Sequence, residues 1–118
     1  DWDERGWTIT DSVYLSMELK KLGVDLIDCS SGAIAPNIKI PVKKHFQVPL
    51  AEEIKKKANI NTAAVGLITE PKAANKEQAD MVLLARELLR NPYWPIQAAQ
   101  YLQKITPGVI PVQYLRGF

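Results

Sequence analysis

The sequence is poor in the residues that build disulfides and metal sites. It has a single cysteine, Cys29, and a single histidine, His45. One cysteine cannot form an internal disulfide, and one histidine with one cysteine lacks the paired spacing of a zinc site. Cys29 lies in an apolar segment without a basic neighbour, so we expect a buried, unreactive thiol. His45 stands beside Lys43 and Lys44 in a long loop, where we expect a solvent-exposed side chain.

Long hydrophobic runs and several well-known nucleotide or nucleophile loops are also missing. No apolar run approaches the ~20 residues that a membrane helix needs, and the acidic start at residues 1–5 does not look like a signal peptide. Neither G-x-G-x-x-G, a Walker A loop nor G-x-S-x-G occurs. The basic run at residues 55–57 is interpreted as a solvated helix face, since the net charge is only +2. These features favour a cytoplasmic protein.

What the sequence does contain is a helix followed by a buried strand, repeated along 118 residues. A composition of 47% hydrophobic and 24% charged residues is typical of one globular domain, here residues 1–118. Thr10 or Asp11 is predicted to cap a helix whose apolar face carries Leu15, Leu19 and Leu22. Pro49 is predicted in the first turn of a second helix. We further predict strands at residues 24–29, 62–68 and 80–85, a helical turn at 86–90 and a helix at 92–103. This alternation predicts an α/β fold with parallel strands.

Polar or glycine residues accompany the ends of all three predicted strands. Ser30 follows the first strand, Gly66 lies late in the second, and Arg86 follows the third directly after Ala85. Ligands bind at the carboxyl ends of parallel strands, where a glycine lets a ligand approach the backbone and an arginine supplies charge. This combination suits a phosphate group.

Each of these residues also has a purely structural interpretation. Gly66 could be a packing glycine in a crowded strand, and the serines after the first strand could be turn residues. Arg86 could be the salt-bridge partner of Glu87 or Asp80. The phosphate interpretation becomes about as strong as the structural ones only because such residues occur together at three consecutive strand ends.

Four ordered sequence blocks resemble the Old Yellow Enzyme family, in its bacterial branch of NADPH dehydrogenases and thermophilic-like ene-reductases. The resemblance covers essentially the whole chain and implies a partial (β/α)₈ TIM barrel, roughly the last three βα units. The blocks are residues 23–32 together with 46–49, residues 62–69, residues 79–92 and the ending QYLRGF at 113–118.

The resemblance implies FMN as cofactor, NADPH as reductant, and the activated C=C bond of an unsaturated carbonyl compound as substrate. It implies that Ser30 and Gln47 line the flavin. Arg116 matches an arginine that, in this branch, reaches the active site of a neighbouring subunit. The residues that would hold the FMN phosphate are Gly66, Leu67, Ala85 and Arg86.

The sequence departs from the family pattern in two ways. The family's proton donor and its carbonyl-polarising pair belong to a portion that precedes these blocks, so we expect this chain alone to be inactive and to retain FMN weakly. The segment at residues 70–79 is shorter than the family usually has, and a parallel crossover normally needs a dozen residues.

Both strands at the ends of such a partial sheet would be unpaired edges, which predicts a homo-oligomer. Two alternatives stay open at this point. One is an inactive, self-associating α/β fragment with no ligand, and the other is a different phosphate-binding flavin barrel enzyme.

Overall fold

Helices and strands alternate along the first part of the chain, as the sequence predicts, but no described helix separates the second strand from the third. The computed structural model describes residues 1–73 and 75–117, so Phe118 of the QYLRGF block lies outside the described residues. In chain order the elements are α1 Ile9–Lys21, β1 Leu26–Cys29, α2 Val48–Ala58, β2 Asn61–Val65, β3 Met81–Leu83, α3 Ala85–Arg90, α4 Trp94–Tyr101 and a final 3₁₀ helix Val112–Gly117. None of the described helices is long and apolar enough to cross a membrane.

The three strands form one parallel sheet in the order β1-β2-β3, which confirms the predicted α/β class. Cys29 pairs with Ala64, and Ala64 pairs with Val82, so the carboxyl ends of all three strands lie at the same edge. β2 ends earlier than the predicted strand at 62–68. The chain turns there because Gly66 and Leu67 both have positive φ angles, 109° and 51°.

Helix α1 begins two or three residues earlier than predicted. Thr8 is the N-cap, and Asp11 completes a capping box as the third helical residue, so the prediction of Thr10 or Asp11 as the cap was wrong. The predicted apolar face was also wrong in part, since Leu22 is 81% exposed. α1 packs against α2 and buries Val13 and Ser16 instead.

The core lies between these two helices and one face of the sheet. The largest contribution comes from α2, whose first turn contains Pro49 as predicted. Cys29 is buried as expected, and burial, followed by the charge of Asp28, raises its pKa to about 11. The thiol is therefore protonated near neutral pH. The buried members of the core around it are Val13, Val48, Ala51, Ile54, Ala58, Ile60, Ala64, Ile68, Ala73, Ala79 and Leu84.

The basic run on α2 is not a uniformly solvated face. Lys56 and Lys57 are exposed and pair with glutamates one turn earlier, as a solvated face would. Lys55, however, reaches across to the segment just before β3, where its Nζ donates to Asp80 at 2.6 Å and to the Lys76 carbonyl at 2.7 Å. This contact ties α2 to the start of the third strand, and it could not be seen in the sequence pattern.

The other face of the sheet lies away from the core formed with α1 and α2. Alternation along the strands places Leu26, Asp28, Ala63, Val65, Met81 and Leu83 on this face, and Ala63 is buried there. Met81 is 57% exposed and Leu83 38% exposed. β1 and β3 are both edge strands, and the described part of the connection between β2 and β3 contains turns but no helix.

Candidate functional site

Three loops meet at the carboxyl edge of the sheet. Ser30 follows β1, Gly66 follows β2, and Ala85 and Arg86 open α3 just after β3. Cys29 is in register with Ala64, and Val65 is in register with Leu83. The three loops therefore leave adjacent strands at the same edge of the sheet.

Gln47 connects two of these loops. Its side chain is 5% exposed, and its Oε1 accepts hydrogen bonds from the Ser31 backbone N–H at 2.6 Å and the Ser31 hydroxyl at 2.8 Å. Its Nε2 donates to the Val65 carbonyl at 2.8 Å. The amide therefore links the end of β1 to the end of β2. The contacted serine is Ser31, whereas Ser30 is exposed. The serine doublet pointed to this loop without distinguishing the two positions.

Gly66 occupies a position that other residues would fill badly. Its φ of 109° is rarely adopted by residues with a side chain. A Cβ there would lie 2.7 Å from the Gln47 Nε2 and 2.7 Å from the Phe46 Cε1. The glycine therefore lets the preceding loop close over the end of β2. Phe46 was named in the sequence only as part of a block, and its contact with this turn is a feature of the fold.

Leu67 continues the same turn. It also lies in the left-handed region, and its side chain is 40% exposed. A non-glycine residue with positive φ costs of order 1–3 kcal/mol and persists where the surroundings enforce it. Gly66 and Leu67, the two residues predicted to bind phosphate after β2, therefore form one tight turn. The side chains of Gln47 and Phe46 pack against this turn at Gly66.

Arg86 does not form the salt bridge with Asp80 or Glu87 that a structural role would require. Of the two carboxylates considered for it, Asp80 pairs with Lys55 at 2.6 Å and Glu87 pairs with Arg90 at 2.7 Å. Across residues 1–73 and 75–117 no ion pair includes Arg86. The guanidinium is exposed in the first turn of α3, so it is available to an anion that approaches the strand ends.

His45 is not the exposed loop residue that we expected. It is partly buried with φ of 60°, and its Nε2 is buried without a hydrogen-bond partner among the described atoms. Its neighbours in sequence are both engaged: Lys44 pairs with Glu70 at 2.8 Å, and Phe46 covers Gly66. Within the described part of the chain, no group of His, Cys, Asp or Glu side chains could hold a metal ion.

Arg116 is placed apart from these loops. It lies near the end of the final 3₁₀ helix and is exposed. No described hydrogen bond or ion pair joins it to Ser31, Gln47 or Gly66. The structure therefore brings together the residues that follow β1 and β2, places Ala85 and Arg86 beside them, and leaves Arg116 outside the group.

Comparison with known proteins gives a consistent result. The sequence profile of the NADH:flavin oxidoreductase / NADH oxidase family matches residues 2–104. The chain is 49% identical to an NADPH dehydrogenase of Halalkalibacterium halodurans over 122 aligned residues, 50% identical to one of Geobacillus sp. (strain WCH70) and 47% identical to one of Geobacillus thermodenitrificans. Each alignment covers all of this chain but only 35% of the relative.

Proposed function

Because the chain belongs to the NADH:flavin oxidoreductase / NADH oxidase family, we propose that it is the part of an FMN-dependent NADPH dehydrogenase that holds the flavin phosphate. The family and its relatives imply FMN as cofactor with NADPH as reductant. The match also favours this assignment over another phosphate-binding flavin barrel. The observation that carries the proposal is the pairing of a glycine turn with an arginine that has no carboxylate partner.

The residues at the strand ends fit a phosphate group. The space that a Cβ at Gly66 would occupy is filled by the Gln47 and Phe46 side chains, so the turn at Gly66 and Leu67 is proposed to meet the phosphate through its backbone. Arg86 supplies a positive charge and planar hydrogen-bond donors on the adjacent loop. Ala85, directly after the last residues of β3, keeps this approach free of a bulky side chain. In this proposal these four residues hold the phosphate.

The flavin itself would lie above the ends of β1 and β2. Ser30 is exposed there and is proposed to contact it. Gln47 is proposed to shape the same wall, because its amide already holds Ser31 and the Val65 carbonyl. It lines the site by fixing the positions of the two loops.

For the complete enzyme we propose hydride transfer from NADPH, by way of the bound FMN, to the activated C=C bond of an unsaturated carbonyl compound. The chain spans about a third of the length of its relatives. The resemblance assigns the proton donor and the carbonyl-polarising residues to positions outside the blocks that match here. We therefore expect this chain to supply the anchoring of the cofactor and to show no turnover alone.

We also propose that the chain self-associates and that it is cytoplasmic. Self-association is supported by the two edge strands and by the exposed Met81 and Leu83. Arg116, exposed and without an ion pair in the described chain, is proposed to act at the active site of a neighbouring subunit. The cytoplasmic location is supported by the lone, buried thiol of Cys29.

The decisive experiment compares FMN with riboflavin, which lacks the phosphate. Quenching of flavin fluorescence by the purified chain should show weak binding that is tighter for FMN. Arg86→Ala should abolish this difference, whereas Arg90→Ala, on the same helix but paired with Glu87, should keep it. Equal binding of the two flavins by the unaltered chain would refute the phosphate role. We expect bound flavin to be lost on desalting, and NADPH-dependent reduction of an enone to stay at the level of a free-FMN blank.

A further inference from the structure

The loop that leaves β1 is long and contains no helix or strand. It occupies residues 30–47, between the end of β1 at the carboxyl edge of the sheet and the start of α2. Three of its non-glycine residues have positive φ angles, 64° at Ala33, 63° at Asn37 and 60° at His45. Such conformations are unfavourable and persist where surrounding contacts enforce them. An ordered loop of this length in a compact domain is uncommon and usually has a binding role.

Two packing contacts hold this loop against the ends of the strands. At Gly32, a Cβ would lie 2.5 Å from the Ile40 Cδ1, so Ile40 packs directly on the residues that follow β1. At Gly66, a Cβ would lie 2.7 Å from the Phe46 Cε1, so Phe46 packs on the turn that follows β2. Both contacts are made between residues of this chain. The segment from Ile40 to Phe46 therefore lies across the ends of β1 and β2.

The charge of this loop is positive. Residues 29–51 contain no Asp or Glu, whereas Lys39, Lys43 and Lys44 all lie within the loop. The Lys44 Nζ pairs with Glu70 at 2.8 Å, so its charge is balanced by a carboxylate of the chain. Lys39 and Lys43 are exposed, and neither ammonium belongs to an ion pair in the described part of the chain. The loop therefore carries two positive side chains beside its anchored residues and no negative ones.

The loop lies at the end of the sheet where the reductant has to arrive. In the function proposed above, the FMN phosphate is held after β2 and β3, and the flavin extends over Ser30 at the end of β1. Lys39 directly precedes Ile40, whose side chain packs two residues beyond Ser30, at Gly32. A nicotinamide coenzyme that delivers a hydride to the flavin must approach this edge from solvent, so its own phosphates come close to the loop.

We propose that Lys39 and Lys43 bind the 2′-phosphate of NADPH and so determine a preference for NADPH over NADH. The two coenzymes differ by this phosphate monoester alone, and an ammonium group binds phosphate as a compact positive charge. A loop without carboxylates does not repel the phosphate and leaves both lysines available to it. The choice of coenzyme rests on the function proposed above, but the site uses neither Arg86 nor the turn at Gly66.

Nucleotides without the nicotinamide half test this site directly, with no flavin present. 2′,5′-ADP carries the phosphate that distinguishes NADPH, and 5′-AMP is the matched ligand without it. We expect an NMR titration of the isotope-labelled chain to show several-fold tighter binding of 2′,5′-ADP, with the largest amide shift changes in residues 39–44. The preference should decrease as salt is raised, since both lysines are exposed. Equal affinities for the two nucleotides, or shift changes confined to other parts of the chain, would overturn the proposal.

Paired substitutions assign the preference to the loop. Lys39→Gln with Lys43→Gln should bring the two affinities to the same value. Lys56→Gln with Lys57→Gln removes the same charge from α2, where both lysines pair with glutamates, and should keep the preference. Both double variants should still bind FMN more tightly than riboflavin, so a failure of the phosphate role of Arg86 is measured separately. A nucleotide preference that survives the loss of Lys39 and Lys43, or a flavin preference that is lost with them, would contradict this assignment.

Discussion

Replacement of Gln47 by alanine is the most informative single change in this protein. The substitution removes the acceptor for the Ser31 N–H and hydroxyl and the donor to the Val65 carbonyl, at 2.6, 2.8 and 2.8 Å. All three contacts are partly buried, so water replaces the lost partner only in part. Gln47→Ala should therefore loosen the ends of β1 and β2 together.

The expected cost follows from these contacts. A typical intramolecular hydrogen bond contributes about 1 kcal/mol net to stability, so three bonds give about 3 kcal/mol. Trp2 Nε1 still donates to the Ser31 hydroxyl at 3.0 Å, which moderates the loss. We expect Gln47→Ala to lower the free energy of unfolding by about 2–3 kcal/mol, a large fraction of the 5–15 kcal/mol typical of single domains.

Urea unfolding followed by circular dichroism measures this difference, and hydrogen exchange of the Ser31 amide reports on the site directly. Gln97→Ala is the matched control, because Gln97 is exposed and its side chain accepts, among the described residues, only from the Asn91 side chain. Its effect should stay within about 0.5 kcal/mol. If Gln47→Ala costs no more than this control, or if the Ser31 amide exchanges at an unchanged rate, the bracing role assigned to Gln47 is wrong.

Two further predictions concern β2 and its neighbours. Thr62 is fully buried and its Oγ1 has no partner among the described atoms, so Thr62→Val should leave the free energy of unfolding unchanged or raise it by about 1 kcal/mol; a loss above about 1 kcal/mol in urea unfolding would contradict this. The pKa of Asp80 is lowered by its hydrogen bond from Lys55 and by the Thr62 N–H. Because the pKa of this carboxyl is lower in the folded state, the contact stabilises the fold when the pH is above the pKa of the carboxyl in the unfolded chain. That stabilisation is lost as the pH falls below about 4. The stability difference between the unaltered chain and Asp80→Asn should therefore shrink on acidification, and a difference that stays constant from neutral to acidic pH would count against the contact.

Much of the architecture follows from local sequence patterns. The apolar run before Ser30 and the apolar run before Gly66 predict strands buried on one or both faces, and the helical spacing between them predicts crossovers. Parallel pairing follows from that alternation, because a strand–helix–strand unit returns the chain in the same direction. The burial of Cys29 follows in the same way from its position in an apolar strand.

The partners of side chains were harder to predict from the sequence, because they depend on residues distant in the chain. Lys55 was assigned to a solvated face, yet its partner Asp80 lies 25 positions later. Asp80 pairs with Lys55 and Glu87 pairs with Arg90, so neither expected partner of Arg86 is available to it. Helical periodicity predicts which side of α2 a residue lies on. It does not predict which residues from a later segment of the chain will contact that side.

The sequence by itself determined that this is a parallel α/β chain with polar and glycine residues at three strand ends, because apolar periodicity and turn residues act over a few neighbouring positions. Only the tertiary structure decided that Gln47 holds Ser31 rather than Ser30, that His45 is partly enclosed, and that Arg86 is unpaired. Those outcomes depend on how the loop before α2 folds over the ends of β1 and β2. Its path is set by contacts across 16 to 18 residues, between Gln47 and the residues it bonds, which no local pattern specifies.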